Sequence, residues 1–166
     1  MLEEVESMLK KVMMLVASPQ KKMGPVADAI SASEQIVDYL EKEIIEYLVL
    51  VTKHETSIEQ SQEIAGLIGA VSDVERMGDH FESLHKLLAK RYDKKIELTS
   101  HAKKELTEIA EKVLEFTQLI KDNLTDSSET VMVSAKQLED SINDMRKKMR
   151  KGHVERRIGR ASCRER

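Results

Sequence analysis

The chain has 166 residues and a formal charge of −3, with 34% charged residues, 3% aromatics, no Trp, two Pro and six Gly. That length gives a single domain a substantial core, and the balance suits amphipathic helices rather than sheets or sandwiches, so the expected class is all-α. Basic and acidic residues are interleaved and no apolar run approaches the ~20 residues of a bilayer span, so we expect no nucleic-acid partner, no membrane span in this chain and a cytoplasmic location.

Leu2, Val5, Leu9, Val12 and Val16 form one stripe at alternating three- and four-residue steps, which predicts a first amphipathic helix packed in a bundle. It weakens near Ser18-Pro19, because proline disfavours helical geometry in the residue before it, and Gly24-Pro25 is a second interruption. A second helix starts near Pro25 with the near-heptad stripe Val26, Ile30, Ser33, Val37, Leu40, Ile44, Tyr47 and Val51. It is about 40 Å long from its rise per residue and gives out at Lys53-His54-Glu55-Thr56. Ser57-Ile58-Glu59-Gln60 fits a capping box and opens a third helix, whose stripe Ile64, Leu67, Val71, Val74, Phe81, Leu84 and Leu88 runs toward Arg91. Gly66, Gly69 and Gly78 lower its propensity, either to let helices approach closely or as tolerated passengers.

After the polar break Asp93-Lys94-Lys95, a fourth helix follows Thr99 or Ser100 and carries Ala102, Leu106, Ile109, Val113, Phe116 and Ile120. A fifth follows the box-like Asp126-Ser127-Ser128-Glu129, carries Val131, Ala135, Leu138, Ile142, Met145 and Met149, and is expected to fade near Gly152. The last nine residues, Ile158 to Arg166, resemble a short-read sequencing adapter translated in one frame and are expected to be non-native; the only cysteine, Cys163, falls within them.

Two helix pairs repeat. A shift of 104 residues maps Leu2, Val5, Leu9, Val12 and Val16 onto Leu106, Ile109, Val113, Phe116 and Ile120, and a shift of 105 carries the second helix onto the fifth. The partner of the third helix would begin beyond residue 160, so the pattern predicts two three-helix repeats, 1–95 and 96–157, the latter lacking its sixth helix, followed by the tail 158–166. An incomplete second repeat leaves an apolar groove and invites self-association of the chain, giving a homo-oligomer.

The chemistry concentrates in the first repeat, where Glu34 and Asp38, and Glu75 and Asp79, form two i,i+4 carboxylate pairs. Like charges at that spacing repel by roughly 0.2–0.5 kcal/mol per pair unless a cation lies between them. A short loop makes the second and third helices antiparallel, so facing residues have numbers adding to a constant near 113; Glu34 with Asp79, and Asp38 with Glu75, both meet it. All four follow stripe positions by one residue and line the edge of the seam. Carboxylates without thiolates favour hard, oxygen-seeking cations such as iron, manganese, magnesium or calcium, whereas most acidic pairs merely solvate a helix face. The Glu-x-x-His spacing of di-iron oxygen-activating bundles is missing, since His80 directly follows Asp79, and the five histidines form no other ligand spacing. No nucleophile motif, phosphate-cradling loop or nucleotide fingerprint is present, so neither catalytic residues nor an organic cofactor site are expected. The methionines read as core fillers, and Arg146-Lys147-Lys148 with Arg150 and Lys151 as a solvated helix end or, second, a membrane-surface contact.

Ser72-Asp73-Val74-Glu75-Arg76-Met77-Gly78-Asp79-His80 resembles the Asp-Leu-Glu-Arg-Ile-Gly-Asp-His signature of the PhoU family, and Glu34-Gln35-Ile36-Val37-Asp38 its other acidic motif. Glu43-Ile44-Ile45-Glu46-Tyr47-Leu48 and His153-Val154-Glu155-Arg156 are similar to the PhoU-like domains at the C-terminus of Na/Pi cotransporter proteins. The resemblance implies an up-down antiparallel bundle of PhoU-type three-helix repeats, with Glu34, Asp38, Glu75 and Asp79 as metal ligands and Asp73 as a lesser one. In the second copy Glu139 matches Glu34, but Asn143 stands at the Asp38 equivalent, so no second metal site is expected. The implied role is regulatory, not enzymatic. It is control of phosphate uptake at the inner face of the cell membrane, as part of a Na/Pi cotransporter-family protein whose membrane transporter domain lies upstream, or as a free-standing regulator acting on a phosphate transporter. Metal-assisted phosphoester hydrolysis is the competing enzymatic reading.

Overall fold

The computed structural model describes residues 1–17, 24–53, 57–125 and 128–164, with side chains as far as Arg156. Five helices follow in chain order, α1 (Leu2–Ala17), α2 (Gly24–Thr52), α3 (Ile58–Asp93), α4 (Ser100–Asp122) and α5 (Glu129–Arg164), with no strand among the described residues. The protein is all-α, as composition and periodicity indicate. It divides into two compact units, Met1–Glu97 with α1 to α3, and a second from Leu98 that holds α4 and α5.

In the first unit each helix packs against the other two. The stripe of α1 supplies Val5, Met8, Leu9, Val12, Leu15 and Val16 to the core. Ile30 and Val37 of α2 and Ile64 and Leu88 of α3 are the other buried apolar side chains of the unit. Burying each such side chain contributes roughly 1.5–3 kcal/mol, which is what holds three helices of modest propensity together. Ser33 occupies an apolar stripe position and is buried, and its hydroxyl accepts a hydrogen bond from Lys11 Nζ at 3.0 Å, with the Ala29 carbonyl 3.4 Å from the same ammonium.

The α2–α3 hairpin has the register expected from its short loop. Ser72 Oγ donates to Glu41 Oε1 at 2.8 Å, and their numbers add to 113. At the start of α3 both halves of the capping box are formed, the Ser57 hydroxyl accepting from the Gln60 amide at 3.2 Å and the Gln60 side chain from the Ser57 amide at 2.9 Å. Of the three glycines in α3, Gly78 alone sits at a close approach: a Cβ there would lie 3.5 Å from Val37 Cγ1 and 3.8 Å from Met8 Sδ, whereas Gly66 and Gly69 face open space. These are ordinary contact distances, so Gly78→Ala is expected to fold and to gain up to about 1 kcal/mol from helix propensity, while the branched Gly78→Val overpacks the seam and loses roughly 1–3 kcal/mol. Urea midpoints of the two variants check this.

The end of α3 is a Schellman turn, with the Lys95 amide bonded to the Tyr92 carbonyl (2.9 Å) and the Ile96 amide to the Arg91 carbonyl (3.1 Å). Lys95 takes the left-handed conformation (φ 52°) that glycine usually fills. α4 is capped by Thr99, whose hydroxyl accepts from the Ala102 amide at 3.2 Å. α5 corrects one expectation: it continues past Gly152 to Arg164. A helical glycine costs about 1 kcal/mol relative to alanine, too little by itself to stop a helix that goes on into Glu155 and Arg156. The expected break at Ser18-Pro19, the His54-Glu55-Thr56 stretch and the Asp126-Ser127 half of the second capping box lie outside the described residues.

Candidate functional site

Val37 and Gly78 are buried against each other at the α2–α3 seam and Ser33 is buried with Lys11 of α1 as its partner, and each is followed in the chain by an acidic residue. Glu34 is half-buried and Asp38 and Asp79 are exposed, so the carboxylates lie at the lip of the core. One carboxylate oxygen from each of Glu34, Asp38 and Asp79 lies within 4.8 Å of the other two. Glu75, the fourth expected ligand, is outside that group, half-buried further along the same seam.

The electrostatics show one shared cluster. Partial burial, and then the Asp38, Glu82 and Asp79 charges, raise the carboxyl pKa of Glu34 above its usual value, with Lys86 opposing. Burial followed by Asp79, Glu41 and Glu82 raises Asp38, and burial followed by Asp79, Glu41 and Asp38 raises Glu75. Each gives up its proton less readily in the fold than in free chain. Glu41 and Glu82 were not among the sequence-derived ligands. Their signal was nonetheless present, because each stands three residues beyond an expected ligand, giving the ladders 34, 38, 41 on α2 and 75, 79, 82 on α3. Both are engaged: Glu41 accepts from Ser72, and Glu82 accepts from Lys86 Nζ at 2.6 Å. Asp73 pairs with Arg76 at 3.2 Å on the surface, apart from the cluster.

The equivalent stretch of α5 is built differently. Lys136 Nζ lies 3.1 Å from Glu139 and 3.3 Å from Asp140, and Lys147 lies 3.4 Å from Asp144, so lysines neutralise those acids. No further group with ligand geometry occurs among the described residues. His80 is exposed and outside the cluster.

Sequence reasoning passed over His85. It is 7% exposed on the core face of α3, and neither ring nitrogen has a hydrogen-bond partner among the described residues. Burial holds its pKa below the usual 6.5, aided by Lys86, while Glu82 and Asp28 pull the other way. A depressed pKa means that the unfolded chain takes up the proton first, so stability is lost as pH falls through 6.5 toward the folded value. The three raised carboxylates have the opposite sign and act lower, adding stability as pH falls toward their unfolded values of 3.8 to 4.5. Urea midpoints from pH 8 to 5.5 should fall for the native chain and flatten for His85→Phe.

The PhoU domain model matches residues 1–88, from α1 into the last turns of α3. The chain belongs to the PhoU domain family. No curated protein and no solved structure is matched. The PhoU domain thus contains α1, α2 and both acidic motifs, and its family is a regulatory one whose general role is control of phosphate uptake. No helix among the described residues is long and apolar enough to cross a membrane.

Proposed function

We propose that this PhoU domain is a metal-responsive regulatory module, with a hard cation held by Glu34, Asp38 and Asp79 and with Glu75, Glu41 and Glu82 adding negative field around it. The supporting observation is the meeting of oxygens from both acidic motifs within 4.8 Å of one another. The donor set fits such a cation: all oxygen, no thiolate, and carboxyl pKa values raised first by partial burial and then by the neighbouring acidic charges. A cation of the iron, manganese or magnesium class bound there would offset that repulsion and tie α2 to α3. Metal analysis of the purified chain beside an Asp38→Ala, Asp79→Ala variant tests this; equal metal content in the two would sink it.

The regulated process we propose is phosphate uptake on the cytoplasmic side, as the PhoU-like region of a Na/Pi cotransporter-family protein. Glu43 to Leu48 and His153 to Arg156 favour that context through their resemblance to its C-terminal domains. The alternative is a free-standing PhoU-type regulator that acts on a separate phosphate transporter. Genomic sequence upstream decides between them: an in-frame extension with several ~20-residue apolar segments supports the cotransporter, and a stop codon before Met1 supports the regulator. Loss of the locus without any change in phosphate uptake would refute both. In neither reading do these carboxylates turn over a substrate, so the metal-loaded chain should leave phosphoesters intact.

A further inference from the structure

The edge of α3 that carries the acidic cluster ends on a cation. Asp79, Glu82 and Lys86 stand at i, i+3 and i+7, and positions so spaced share one edge of a helix. Lys86 Nζ donates to Glu82 Oε2 at 2.6 Å. The two partners are held unequally, because the Glu82 side chain is 16% exposed and the Lys86 side chain 63%. The carboxylate is kept in place by its surroundings, while the ammonium ends a flexible, solvated stem that is free to turn away.

Elsewhere in the chain, lysines quench the acids that stand near them. On α5, Lys136 lies against both Glu139 and Asp140, and Lys147 against Asp144. Glu34, Asp38 and Asp79 have no such ion pair among the described residues. Two cations act on the seam, Arg76 on Glu75 and Lys86 on Glu34, and each is already paired, with Asp73 and Glu82 respectively. Lys86 senses the cluster in return. Its pKa is raised first by the Glu82 hydrogen bond and, against desolvation, by the charges of Glu82, Glu34 and Asp79. Glu82 for its part acts on both Glu34 and Asp38 across the seam.

We propose that Glu82 is a reserve ligand of the cluster and that Lys86 is the resident counter-ion that keeps it in reserve. The inference rests on the metal reading above. While Glu82 is paired with Lys86, the close group consists of Glu34, Asp38 and Asp79. Once Lys86 turns away, Glu82 joins them, and α2 and α3 contribute two carboxylates each. An i,i+4 pair with an exposed lysine is weak, so Lys86 yields to a divalent cation, which carries twice its charge. Lys86 thereby sets the concentration at which the cluster loads.

Calorimetric titration of manganese into the full chain reads this, with ferrous iron and magnesium as companion probes. Lys86→Gln should bind manganese about threefold to tenfold more tightly than the native chain, because the competing charge is gone. Lys86→Arg keeps that charge and should bind as the native chain does. Glu82→Gln should bind more weakly, and Lys86→Gln added to it should recover less than about twofold, since the two residues act through one another. Circular dichroism of each variant should match the native spectrum. Native and Lys86→Gln chains that bind manganese equally overturn the proposal and leave the metal reading standing. A gain from Lys86→Gln that is as large beside Glu82→Gln as alone also overturns it, because Lys86 then acts as a general charge and not through Glu82. If none of the three cations binds any of the chains, the metal reading itself falls and this inference with it.

Discussion

Saturating manganese or ferrous iron is expected to raise the thermal midpoint of the first unit, and Glu34→Gln, Asp38→Asn, Asp79→Asn to abolish that rise. A cation that binds only the folded state stabilises by about 2.7 kcal/mol when its free concentration is a hundred times its dissociation constant. For a unit spanning Met1–Glu97 that corresponds to an increase on the order of 10 °C. The neutralised variant carries a second, opposite signature. Its three carboxyls no longer repel, so its metal-free midpoint should lie at or above that of the native chain, and the two melting curves should cross as metal is added. An ordinary acidic face that binds no cation gives the second result but not the first, so the metal-dependent rise decides. Differential scanning calorimetry across a metal titration separates the cases, and a native midpoint unmoved by any hard divalent cation removes the metal reading while leaving PhoU membership intact.

Why the site was only partly legible follows from what periodicity records. A heptad stripe states which residues face a neighbouring helix, and a short loop states which numbers lie opposite; together they place Glu34, Asp38 and Asp79 on one lip, and the Ser72–Glu41 hydrogen bond falls on the same constant. Neither states how far a side chain swings along the seam. That depends on the crossing of α2 and α3, which is set by what lies between them, here Gly78 against Val37 and Met8. Glu75 therefore sits outside the three-oxygen group despite matching the constant, while Glu41 and Glu82 join the field from three residues beyond the motifs. His85 escaped notice because a lone histidine on a helix carries no spacing to read, and only packing shows that its ring is enclosed without a partner. The cap at Ser57 was readable because it depends on residues three apart in the chain, whereas the start of α4 was read as Thr99 or Ser100 and the structure gives Thr99 as the cap. The turn after α3 was visible only as a polar break, since Lys95 occupies the position where glycine would have announced it.

Ile30→Ala should cost the first unit about 2–5 kcal/mol, a loss of the largest class for a single substitution, because Ile30 is fully buried. The removed atoms forfeit their transfer energy, and a cavity remains that the flanking helices close only in part. A unit of this size has a total stability of about 5–15 kcal/mol, so the variant stands near the edge of folding at 37 °C. Ile30 lies one helical turn before Glu34 and one heptad before Val37, which makes the core that positions the carboxylates the same core that holds the helices together. The lower urea midpoint of Ile30→Ala should consequently be recovered in part by saturating manganese, whereas an Ile30→Ala chain that also carries Asp79→Asn should gain nothing from it. A substitution that weakened folding but left the metal response untouched in both backgrounds would show that the cation binds somewhere other than the α2–α3 seam.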